Sequence, residues 1–206
     1  MTLPNQLSVL RIILTPLFIV TYLMNGIWMN YLSFLIFFIA SITDYYDGVL
    51  ARRYGVSTTW GRFLDPLADK ILVSSAFIAF MVSGIVEVWM VILIVVRDVI
   101  ITALRSYAMY KNHPIVTSYL AKVKTFVQIG VLYFIFGFVL LEKTFVLNNR
   151  DLSIIDKINS WNLIYLSMLF VTLLTLATGV KYLVENHSQL KNLALDFYHV
   201  FVPSDL

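Results

Sequence analysis

The chain has no cysteine among its 206 residues. Disulfides, thiolate zinc sites, iron–sulfur clusters and thiol nucleophiles are therefore excluded. Charge is the second scarcity: Asp, Glu, Lys and Arg together make up 13%, about half the share of an ordinary soluble domain. Apolar side chains take its place, at 60% of the residues against roughly 45–50% in soluble domains, and the mean hydropathy is +0.83. A soluble domain of this length could not cover its surface with so few polar residues. Disorder, collagen, nucleic-acid-binding arms and disulfide scaffolds drop out. An all-α polytopic membrane protein remains, folding as one unit over residues 1–206. The formal charge of +3 fits cytoplasmic loops and gives no reason to expect a nucleic-acid partner. Arg11 falls late in the first apolar stretch and no small-residue cleavage site follows, so this stretch reads as a retained span. Repeats, low-complexity segments and linkers are lacking too.

Charge-free stretches locate six spans, at 4–25, 31–52, 61–83, 86–110, 118–141 and 161–185, each about the length a 30 Å hydrocarbon core requires. Residues 187–198 read as an amphipathic interfacial tail. Trp28, Trp60, Trp89 and Trp161 fall near span ends and read as interface anchors. With the N-terminus inside, the inner sections hold Arg52, Arg53, Arg62, Lys70, Arg105, Lys111, Lys122, Lys124, Lys181 and Lys191. The outer loops after the first and third spans hold no Lys or Arg. The positive-inside rule thus expects both termini, and the charged ends of spans 2 to 5, on the cytoplasmic side.

Four of nine aspartates fall within 26 positions: Asp44, Asp47, Asp65 and Asp69. The first two are i and i+3 on one helix, the second two i and i+4 on the next, so each pair shares a face. A charged Asp near hydrocarbon costs about 2.5–3.5 kcal/mol on insertion scales, and four anions repel one another. Such a set makes physical sense around hard divalent cations, which take carboxylate oxygens. Gly48, Ala51 and Gly61 keep the surroundings small, and Arg52 offers a planar fork to phosphate oxygens. Divalent ions, an arginine and a cleared groove describe a diphosphate site doing metal-assisted phosphoryl transfer. His113, His187 and His199 are scattered and read as interfacial.

The run Asp44-x2-Asp47-Gly48-x2-Ala51-Arg52-x8-Gly61-x3-Asp65-x3-Asp69 resembles the signature of the CDP-alcohol phosphatidyltransferase family at every defined position. The resemblance implies a membrane-embedded enzyme, homodimeric, that moves a phospho-group from a CDP-linked donor to an alcohol and releases CMP. It implies that Asp44, Asp47, Asp65 and Asp69 hold two Mg²⁺ or Mn²⁺ ions and that Asp69 is the general base. Gly48, Ala51 and Gly61 would line the cytidine pocket, and Arg52 would hold the donor diphosphate.

Further segments are similar to a bacterial plasma-membrane branch of that family that takes glycerol 3-phosphate as acceptor and CDP-diacylglycerol as donor. They are Pro4-Asn5-Gln6-Leu7-Ser8-x2-Arg11, Leu64-Asp65-Pro66-Leu67-Ala68-Asp69-Lys70, Arg97-Asp98-x6-Arg105 and Ala121-Lys122-x-Lys124-Thr125-x2-Gln128. A dianionic acceptor needs fixed cations, and Arg97, Arg105, Lys122 and Lys124 are the candidates. The sequence departs from the branch's commoner pattern at Asp98, where Glu is usual, at Ala121, where Gly is usual, and at Thr102-Ala103-Leu104. These departures keep other acceptors of the family open: those that lead to cardiolipin, phosphatidylserine or phosphatidylinositol phosphate. An ion transporter using the acids as its site is the more distant alternative. Acids at one end of the bundle, with almost no charge in the outer half, speak against a conduction path.

Overall fold

In hydrocarbon every backbone N–H and C=O must find a partner within its own segment, and an unbroken helix achieves this. The computed structural model describes residues 3–24, 26–54, 59–110, 119–150, 152–187 and 191; at 3–5, 44–45, 47–54, 59–66, 110, 119, 154 and 158 it describes the backbone alone. Among the described residues seven helices follow one another: α1 (Leu3–Leu23), α2 (Ile27–Tyr54), α3 (Thr59–Val82), α4 (Val88–Tyr110), α5 (Tyr119–Leu147), α6 (Ser153–Ser160) and α7 (Leu163–Glu185). The six long ones lie on the six expected spans. Gln6–Leu23, Leu120–Leu147 and Leu163–Glu185 are long and apolar enough to cross a membrane.

The elements differ from the sequence expectation in two ways, displaced helix ends and one added helix. Helix α5 continues to Leu147, beyond the expected end at 141. Glu142 and Lys143 are good helix formers, and the overhang is fastened to the start of α2. Lys143 Nζ donates to Asn30 Oδ1 at 3.1 Å, and Tyr31 and Thr144 share a hydroxyl hydrogen bond of 2.7 Å. Helix α2 likewise starts before 31, at Ile27, where Asn30 Nδ2 donates to the Gly26 carbonyl at 2.7 Å. The second difference is α6, inside what reads as a charged outer loop; Ile155 is its buried contact. The expected tail at 187–198 lies almost wholly outside the described residues.

The turn after α3 closes in the manner typical of helix ends. Gly84 takes φ 71°, the Ile85 N–H reaches the Phe80 carbonyl and the Gly84 N–H the Met81 carbonyl, both at 3.0 Å. Asn149, at φ 48°, does the corresponding work after α5, with the Arg150 N–H on the Phe145 carbonyl at 3.0 Å.

The bundle is apolar outside and divided inside. Ile13, Val20, Phe170, Leu173 and Val180 are exposed, whereas Ser8, Arg11, Asp98, Lys124, Gln128 and Thr175 are buried. A water-facing surface would reverse that distribution; a lipid-facing one requires it. Arg11 is fully buried, so it does not snorkel to the interface. Trp28, Trp89 and Trp161 are exposed at helix ends. One half of the interior is aromatic. Phe18 and Tyr22 from late α1, Phe37 from α2, Phe80 from late α3 and Phe136 from late α5 meet at ring-centroid distances of 4.8–6.0 Å. Among the described residues, the opposite ends of α1 and α5, with α4 and late α7, hold Ser8, Arg11, Asp98, Lys124, Gln128, Thr175 and Thr178 as buried polar side chains.

Candidate functional site

The two acid pairs are set out symmetrically about the α2–α3 connection. Asp47 and Asp44 precede the last residue of α2 by seven and ten positions; Asp65 and Asp69 follow the first residue of α3 by six and ten. The backbone is helical at all four, so i,i+3 and i,i+4 spacing keeps each pair on one helix face. The side chains of Asp44, Asp47, Gly48, Ala51, Arg52, Gly61 and Asp65 lie outside the described residues. Asp69 is the described member of the set. Among the described residues no three acidic, His or Cys side chains are gathered. The segment from 44 to 69 contains carboxylates and neither His nor Cys. That donor chemistry fits a hard divalent cation.

Asp69 leads directly into a second cluster. Its side chain is 24% exposed, and Lys70 Nζ lies 3.4 Å from Asp69 Oδ2 and 4.0 Å from Asp98 Oδ2. Asp98, midway along α4, is the centre. Its carboxylate accepts from Lys124 Nζ of α5 at 2.5 and 2.7 Å, from the neighbouring Arg97 at 3.0 Å and from Gln128 Nε2 at 3.3 Å. Asp98 and Lys124 are each 1% exposed. An ion pair this deep forfeits all hydration, and it persists only when most lone pairs and protons are satisfied, as these are. Three cations, Lys70, Arg97 and Lys124, against two carboxylates, Asp69 and Asp98, leave one positive charge over.

Helix α7 completes the cluster. Arg97 donates through Nη2 to Thr178 Oγ1 at 3.1 Å. Gly179 matters by what it lacks: a Cβ there would stand 3.0 Å from Arg97 Cγ and 3.1 Å from Nε. The arginine therefore lies flat against the α7 backbone. Tyr182, one turn further, is within electrostatic range of both Arg97 and Arg105. Arg97 Nε, Gln128 Oε1, Thr175 Oγ1 and Tyr182 Oη are buried with no hydrogen-bond partner among the described residues.

The four cations proposed for an acceptor phosphate are thus placed differently. Arg97 and Lys124 belong to the Asp98 cluster, and Arg105 is half-buried on the same helix as Arg97. Lys122 is exposed. Two residues from Lys124 it is rotated by about 200° around α5, so the two lysines do not share a face. A cavity of about 620 Å³ opens beside the cluster between α3 and α4, lined by Leu67, Lys70, Val99, Thr102, Ala103 and Tyr107 among others. Its wall is overwhelmingly apolar, and Lys70, at the edge of the Asp98 cluster, is the charged residue in it.

The sequence assigns no role to Lys70, Gln128, Thr178 or Gly179, and in it Asp98 reads only as a departure from a pattern. The available signal was polarity inside apolar helices. Asp98 is the lone acid of α4, and Thr172, Thr175, Thr178 and Gly179 recur along one stretch of a mostly apolar α7.

The model of the CDP-alcohol phosphatidyltransferase family matches residues 1–178. Similar bacterial proteins bear the name CDP-diacylglycerol–glycerol-3-phosphate 3-phosphatidyltransferase. That of Rickettsia bellii is 38% identical over 130 residues, covering 63% of this chain and 72% of the relative. Those of Salmonella typhimurium and Escherichia coli are 40% and 38% identical over 136 residues, covering 63% of this chain and 74% of each relative.

Proposed function

The chain belongs to the CDP-alcohol phosphatidyltransferase family, and from that membership we infer that it transfers the phosphatidyl group of CDP-diacylglycerol to glycerol 3-phosphate, giving phosphatidylglycerophosphate and CMP. It is a multi-pass membrane enzyme of phospholipid synthesis. One observation carries the acceptor: Lys70 bridges Asp69, the last acid of the signature, to the cation cluster around Asp98. A base for a hydroxyl thus stands beside surplus positive charge for a phosphate, and a phosphorylated alcohol presents both groups.

In this reading Asp44, Asp47 and Asp65, with Asp69, hold two Mg²⁺ or Mn²⁺ ions, which when bound neutralise charge on the donor diphosphate. Arg52 clamps that diphosphate, and Gly48, Ala51 and Gly61 admit the cytidine. Asp69 takes the proton from the acceptor hydroxyl. The hydroxyl oxygen bonds to the lipid-side phosphorus as the bond to CMP breaks. Arg97, Arg105 and Lys70 hold the acceptor phosphate, Lys124 acts through Asp98, and Lys122 sits with the lipid headgroups. All six long helices span the membrane, both termini and the site face the cytoplasm, and the enzyme works as a homodimer.

The test uses purified protein with CDP-diacylglycerol, Mg²⁺ and one acceptor at a time. CMP release is expected with glycerol 3-phosphate and is expected to stop on chelation with EDTA. Release with serine, inositol phosphate or phosphatidylglycerol but not glycerol 3-phosphate would overturn the acceptor. Absence of CMP with every acceptor would overturn the transferase.

A further inference from the structure

We propose that Asp98 is a positioning residue for the acceptor end of the site: its buried carboxylate gathers Lys70, Arg97 and Lys124 from three helices and aims the first two at the acceptor phosphate. The proposal rests on the acceptor reading above and deepens it.

The geometry separates the three cations. Lys124 gives Asp98 two short hydrogen bonds and is itself buried, so it locks the carboxylate and is withdrawn from substrate. Lys70 and Arg97 are less deeply buried, with side chains 19% and 12% exposed. Arg97 meets Asp98 through Nη1, and Lys70 lies between Asp98 at 4.0 Å and Asp69 at 3.4 Å. Arg97 is constrained from both directions, Nη1 on Asp98 and Nη2 on Thr178, with its stem pressed on Gly179. A guanidinium held at two points by two helices has one orientation left, and its free donors face the same way each time a substrate arrives. A phosphomonoester carries close to two negative charges, which suits the positive charge that Asp98 and Asp69 together leave uncompensated. Preorganised charge of this kind spares the reorganisation that a mobile cation would incur on binding.

A purely architectural ion pair would behave differently when both partners are neutralised together. Asp98→Asn alone strands Lys124 in the interior and can simply fail to fold. The informative variant is the double substitution Asp98→Asn with Lys124→Met, which removes the buried pair without leaving an orphan charge. Thr178→Val is the companion, acting on Arg97 from α7 without touching the pair. Steady-state kinetics are read with each substrate varied in turn. The double variant is expected to raise the glycerol 3-phosphate KM by about tenfold or more, as loss of a charge-assisted contact would. The CDP-diacylglycerol KM is expected to stay within about twofold, and Thr178→Val to give a smaller rise in the same single constant. A folded double variant with the parent's acceptor KM would overturn the positioning role while leaving the acceptor reading intact. If the double variant does not fold, an unchanged acceptor KM in Thr178→Val overturns it instead. A parent protein that does not use glycerol 3-phosphate sinks the underlying reading, and this one with it.

Discussion

A carboxylate that is to take a proton from an alcohol must be reachable by substrate and held in one place. Asp69 meets both conditions, half-open on α3 with Lys70 at 3.4 Å. Asp69→Asn keeps the shape and removes the basicity. Its kcat, measured at saturating metal and both substrates, is expected to fall by about 10²–10⁴-fold; near-parent turnover would remove the base role. Residues of this kind are legible in a sequence because a charge in an apolar helix is costly and therefore stands out. The four aspartates announced themselves that way. Lys122 and Lys124 look equivalent on paper until the helical period turns them to different faces. Gly179 and Thr178 are silent, since a small neutral residue in an apolar helix has no written sign of what presses on it.

At the scale of elements, the helices were readable because hydrocarbon leaves the backbone so little choice, and their ends were not, because ends are fixed by contacts made in three dimensions. The overhang of α5 is an instance. The charges of Glu142 and Lys143 mark the end of the apolar span, and their helix propensity alone does not say that the helix goes on; Asn30 and Tyr31, more than a hundred residues earlier, hold it there. Asn30 is buried and bonds on both sides, to Lys143 and to the Gly26 carbonyl. Asn30→Ala is expected to destabilise the fold by about 1–3 kcal/mol, the cost of leaving buried polar partners unmet, and to leave both substrate constants unchanged. Thermal unfolding in detergent measures this. An unaltered midpoint would mean that the tie contributes nothing.

The whole molecule has two unlike ends, one of rings and one of charges, and the proposed orientation, with the charged end in the cytoplasm, is open to test. A chain without cysteine allows a clean check. Ser57→Cys, between the acid pairs, is expected to resist an impermeant maleimide in intact cells, and Asn148→Cys, after α5, to react; the reverse labelling would invert the orientation. Asn148 serves better than Asn149, whose positive φ a cysteine tolerates poorly. That same division has an electrical consequence. An enzyme that admits water-soluble anions partway into a membrane thins the insulation between two compartments, and each elementary charge that crossed would dissipate about 2.3 kcal/mol per 100 mV. Phe18, Tyr22, Phe37, Phe80 and Phe136 fill the far half with rings in mutual contact. The rings act as the dielectric of a capacitor, so that lipid synthesis at one face need not discharge the voltage across the other.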